Sequence, residues 1–171
     1  MKIFTILVVI IVGVVFVVFN FAKKKIPDSP EIALQEFYHD NRAEDQIMDP
    51  LILMGSEMIP RLSKEILNKN MIHRRYAIGA IGNIGDENAI SILVSILNDQ
   101  KEIDYFRCDS LNSIAMINKE KAKQLALKFR QSDVRCLNEL VQALLSDKDK
   151  SWEKMNYMRR GYLEALIGRH N

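Results

Sequence analysis

The stretch HRRYAIGAIGNIGDENAISILVSILND, residues 73–99, decides the fold. Ile81 and Ile84 stand three residues apart before Gly85, and Ala89, Ile92 and Ile96 follow it at steps of three and four. That is the spacing of a helix face and not the alternation of a strand. Gly85 is the residue type that most readily takes the left-handed backbone ending a helix. Asp86 can cap the next helix, and Glu87 sets a carboxylate into its first turn, where it complements the helix dipole.

Moving outward by 30 to 33 residues, the same pattern returns on both sides. Leu51, Ile81 and Ile114 share a column, followed three residues on by Met54, Ile84 and Ile117. Further columns are Ile59, Ala89 and Ala122, then Leu62, Ile92 and Leu125, then Ile66, Ile96 and Phe129. The breaks fall at Gly55, Gly85 and Asn118, all three expected in the left-handed conformation. Glu57, Glu87 and Glu120 open each second helix, with Ser56 and Asp86 as caps. A repeat of this period indicates helix pairs stacked in an array.

The central unit resembles a HEAT-like repeat of the short kind found in bilin lyases. Arg74 and Arg75 open it, Ala77, Ala80 and Gly82 are the small residues where its helices approach closely, and Gly85 with Asp86 forms the turn. The following unit, FRCDSLNSIAMINKEKAKQLALKF, is similar more loosely. It keeps Arg107, Ser110, Ser113, Ala115 and Ala122 but has Asn118 and Lys119 in place of the Gly-Asp turn. The preceding unit, PLILMGSEMIPRLSKEIL, keeps the second helix, while Pro50 starts or kinks a helix where the other units run through. The resemblance covers about half of the chain and implies an all-α fold, a right-handed α-solenoid of stacked helix pairs.

Toward the amino terminus, Ile3 to Phe21 gives 19 residues without a charge, which as a helix span about 28 Å, the thickness of a bilayer core. Residues 1–22 therefore read as one transmembrane anchor. Residues 23–30 read as a linker stiffened by Pro27 and Pro30, with Ser29 placed to cap a helix beginning at Pro30, and residues 31–171 as the repeat domain. A cleaved signal peptide has a shorter apolar region and a small-residue cleavage site, for which Asn20 and Ala22 are poor. Lys23, Lys24 and Lys25 outnumber Lys2 and favour a cytoplasmic domain at a bacterial inner membrane, although the same lysines also suit anionic head groups. Beyond Gln131 the repeat degenerates, yet Val134, Leu137, Val141, Leu144 and Leu145 still make one apolar helix face. After the polar break SDKDKS, Trp152, Met155, Tyr162, Leu163, Leu166 and Ile167 suggest a last amphipathic helix ending at Gly168. Residues 30–42 and 151–168 are the expected end caps, because a stack exposes an apolar face at each end.

Composition narrows the function. The chain holds 24 basic and 22 acidic residues, and Lys2, Lys23, Lys24 and Lys25 flank the apolar leader, leaving 20 basic against 22 acidic in the rest. A nucleic-acid binder normally carries a basic surplus, so no nucleic-acid partner is expected. His39, His73 and His170 are scattered outside any metal-ligating pattern, and Cys108 and Cys136 fit no zinc spacing, so neither metal nor cofactor is expected. The two cysteines read as buried free thiols by default, since equivalent positions on packed helices usually lie farther apart than a disulfide spans; a bridge between neighbouring helices is the alternative, as each cysteine follows an Arg and precedes a helical run. No phosphate loop, nucleophile elbow or local Cys-His constellation is present, which argues against an enzyme. The expected role is a membrane-anchored adaptor that binds a protein. Its candidate partner-binding row is Arg61, Glu65, Ser91, Ser95, Gln124 and Lys128, the polar columns between apolar ones on the second helices. A merely solvated face has the same pattern. A second reading is an immunity protein that neutralises a toxin in the bacterial envelope, and a third, an enzyme related to the lyases that share the repeat, lacks its chemistry.

Overall fold

The computed structural model describes residues 26–39 and 44–146. Among the described residues nine α-helices run in chain order: α1 (Pro30–His39), α2 (Glu44–Ile47), α3 (Asp49–Met54), α4 (Ile59–Glu65), α5 (Arg74–Ile84), α6 (Ile90–Asn98), α7 (Asp104–Ile117), α8 (Lys119–Ala126) and α9 (Arg135–Leu145). Single 3₁₀ turns precede α4 (Gly55–Met58) and α6 (Glu87–Ala89), and a third follows α8 (Leu127–Phe129). The described residues contain no strand. The anchor at residues 1–22 and the closing helix at 151–168 lie outside the described residues, and no described helix is long and apolar enough to cross a membrane.

The repeat columns become the core. Leu51, Ile81, Ile114, Ala89 and Ala122 are fully buried, Ile59 nearly so, and the half-buried Ile84, Ile92, Ile117 and Phe129 pack against the same cluster. The first helices of the units stack in order, with α3 against α1 and α5, α5 against α7, and α7 against α9. Each needs a neighbour to cover its apolar face, as repeat units do. α5 and α7 approach closely at Gly82. A Cβ there would lie 2.9 Å from the Ser113 Cα on α7, so only glycine lets these helices meet. The Ser113 hydroxyl uses the proximity to donate to the Ile78 carbonyl at 3.0 Å.

Helix starts follow the sequence in several places. The Ser29 hydroxyl accepts from the Ile32 amide at 3.3 Å at the head of α1, and Pro50 lies in the first turn of α3, a helix of only six residues. Asp86 accepts from the Asn88 amide at 2.9 Å. That bond, with a smaller contribution from the Ser56 hydroxyl, holds the Asp86 carboxyl below its usual range.

Three expectations are corrected. Of the three break residues only Gly85 takes the left-handed conformation, at φ 77° and ψ 21°; Gly55 has a positive φ of 61° but ψ −144°, outside that region, and Asn118 is extended at φ −148°. Asn118 instead caps α8, its Oδ1 accepting from the Lys121 amide at 3.0 Å, which the left-handed backbone would not present in this way. Ser56 does not cap its own helix; its hydroxyl is committed to Asp86. The cysteines are not free thiols. Cys108 and Cys136 form a disulfide, with Cα atoms 6.0 Å apart, well inside the usual reach. Cys136 sits in the first turn of α9, where that helix closes against α7, so the pair escapes the wider spacing of equivalent repeat positions. One residue unforeseen in the sequence has a positive φ: His73, at 58°, turns the chain into α5 between the rings of Phe37 and Tyr76.

Candidate interaction surface

The units touch one another along two edges, and both contacts link residues about one repeat apart. On the turn edge, the Ser56 hydroxyl meets Asp86, and the Asn118 amide donates to Glu87 at 3.0 Å. On the loop edge, Lys69 reaches Asp99 at 2.8 Å and Glu102 at 3.9 Å, and Arg75 donates to Asp109 at 2.8 Å.

Arg74 is the centre of the loop edge. Its Nε donates to the Ile66 carbonyl at 2.7 Å, satisfying the end of the preceding second helix. Its Nη2 donates to Glu102 at 2.7 Å, with both side chains 3% exposed. Phe106 stacks on the guanidinium at 4.8 Å. The hydrogen bond from Arg74, outweighing desolvation, holds the Glu102 carboxyl below the usual glutamate range. Arg107 repeats the device one unit on, its Nε donating to the Leu97 carbonyl at 3.2 Å. Asp49, by contrast, is buried near the start of α3, and desolvation pushes its carboxyl up to about 6.

The six residues of the candidate row lie on or just beyond the second helices. Arg61, Ser91, Ser95, Gln124 and Lys128 are exposed, and Glu65 is half-buried. Glu65 is the most engaged, pairing with Arg61 at 3.1 Å and accepting from the Tyr38 hydroxyl at 3.1 Å. Burial, then the Glu65 hydrogen bond, pushes the Tyr38 phenol up to about 12. The Ser95 hydroxyl turns back to the Ile92 carbonyl at 2.7 Å. Exposure of the row suits a bound protein and a solvated face alike. Sequence reasoning missed Tyr38, Lys69, Asp99 and Glu102, which lie outside the repeat columns. Among the described residues no group of three or more His, Cys, Asp or Glu side chains is gathered in a way that would hold a metal.

These features describe a protein of stacked helical repeats. The family model described as PBS lyase HEAT-like repeat matches residues 74–99, the stretch from Arg74 through α6, and supports a HEAT-like repeat protein. Searches of the curated proteins and of the solved structures return no significant match.

Proposed function

We propose that the chain is a membrane-anchored, non-enzymatic scaffold. In this reading its helix pairs form a right-handed α-solenoid, and its second helices present the row from Arg61 to Lys128 to a protein partner. The observation that carries it is the run from Asn88 to Asn98 in the middle of the row. It contains no charged residue, yet leaves Ser91 and Ser95 exposed. Depletion of charge at the centre with charges toward the ends is the composition of a protein interface rather than of a surface kept merely soluble. The apolar segment at residues 1–22 supplies the anchor in this reading.

The disulfide bears on which side of the membrane the domain occupies. Disulfides persist in oxidising compartments, so the Cys108–Cys136 bridge supports a domain facing away from the cytoplasm, against the weaker argument from Lys23, Lys24 and Lys25. It also favours the second reading, an immunity protein acting in the envelope. A genomic neighbour encoding a toxin separates that reading from the general adaptor.

The test replaces Ser91 and Ser95 by Arg in the full-length chain. The scaffold reading expects a copurifying protein to be lost while helicity and melting temperature hold. Retention of the same protein by the folded variant would sink it. Protease added to intact spheroplasts tests the side, with digestion expected for a domain outside the cytoplasm.

A further inference from the structure

We infer that the third-unit end of the row is a docking face for an acidic protein segment, formed by Lys121, Gln124, Leu127, Lys128 and Arg130. This rests on the scaffold reading and names the chemistry of the partner. Residues 119–130 carry five basic side chains and one acidic, in a chain whose totals are 24 and 22. This short stretch therefore carries a local basic surplus of four.

The geometry puts that charge outward. α8 buries Ala122, Leu125 and Ala126 against its neighbours, and Lys121, Gln124, Lys128 and Arg130 stay exposed. Lys123 is held by Glu120 at 3.1 Å, but among the described residues Lys121, Lys128 and Arg130 make no ion pair. The other second helices differ. On α4 Arg61 is already neutralised by Glu65, leaving Lys64 as a single exposed cation, and α6 is uncharged. Unneutralised cations on a rigid, packed helix keep their attraction for an acidic group without first breaking an internal pair.

Leu127 adds a second kind of contact. It is 51% exposed beside these cations, so a segment mixing Asp or Glu with an apolar side chain matches both features. Nucleic acid is the poorer fit, since a stacking surface needs exposed rings and Phe129 is half-buried. A lipid surface is also poorer, because a single exposed leucine gives little apolar area to insert.

The test uses full-length protein in neutral-lipid nanodiscs and a labelled synthetic peptide of Glu, Asp and Leu, read by fluorescence anisotropy. The expected result is binding that weakens about tenfold or more when salt rises from about 50 to about 300 mM. Lys121→Glu with Lys128→Glu should abolish it, the corresponding Gln pair should weaken it, and Lys101→Glu, on the loop edge, should leave it unchanged. Absence of binding, or equal binding by the folded Glu variant, overturns the proposal. So does preferential binding of phosphatidylglycerol vesicles or an oligonucleotide by the same residues. If the peptide fails while the Ser91 and Ser95 replacements still strip the copurifying protein, the acidic assignment fails and the scaffold stands. Failure of both removes the scaffold reading as well.

Discussion

Arg74 and Arg107 occupy the same place in successive units and cap the same kind of helix end, yet their surroundings differ. Arg74 pairs with a glutamate from the next loop, both side chains 3% exposed. Arg107 pairs at 3.2 Å with Asp104 of its own helix, which is 57% exposed. The first pair crosses between units and is dry, whereas the second lies within one helix and is wet. A repeat therefore fixes where an arginine stands without fixing what it contributes. Removing one partner of a buried pair strands the other charge and typically costs about 3 to 5 kcal/mol, while an exposed pair is worth about 1 or less. Glu102→Gln is accordingly the most damaging single change expected, and Asp104→Asn should be nearly silent in urea unfolding of the full-length chain. Comparable losses would erase the distinction. The pH dependence has a defined sign, because the Glu102 carboxyl is depressed in the folded state. Its stabilisation is present above the ordinary glutamate range and lost as pH falls through the depressed value, so Glu102→Gln should flatten that part of the acid limb.

The next junction is held differently again. Cys108 of α7 and Cys136 of α9 are 28 residues apart, and closing a loop of that length destabilises the unfolded chain by about 3.5 kcal/mol. Replacing both cysteines by Ala should lower stability by roughly that amount. Reductant should destabilise the parent and leave the double variant untouched. Insensitivity of the parent to reductant would mean that packing alone holds α9.

The contrast between junctions also shows what the sequence could reveal. Residues whose role repeats with the chain were legible: the buried columns, Gly85 with Asp86, Arg74 opening its unit, and Ser29 heading α1. Contacts set by how units sit against one another were not. Glu102 belongs to a loop outside the columns, and Tyr38 reaches Glu65 from α1. The disulfide joins a cysteine in the second turn of α7 to one in the first turn of α9, an offset the repeat period does not contain. Asn118 was misread for a different reason. Asparagine favours both left-handed helix ends and helix caps, so its identity alone does not choose between them. The candidate row was legible as a polar column, but the outward setting of the cations on α8 required burial to separate outward from inward lysines.

The two turns, Gly85 and Asn118, sharpen the comparison at the smaller end of the scale. Gly85 has φ 77° and ends α5, so Gly85→Val places a β-branched side chain at positive φ and should cost about 1 to 3 kcal/mol. Gly85→Asn should be tolerated much better, because asparagine visits that region. At position 118 the requirement is reversed. The extended backbone suits any residue, and what matters is the side-chain oxygen that accepts from Lys121, so Asn118→Ala should cost about 1 kcal/mol and Asn118→Ser much less. Asn118→Gly should cost only a few tenths, although it also removes the 3.0 Å bond to Glu87. Melting temperatures of these variants test the assignment directly. If Asn118→Gly were stabilising and Asn118→Ser harmful, position 118 would be serving as a left-handed helix end like Gly85, and the two units would share one turn after all.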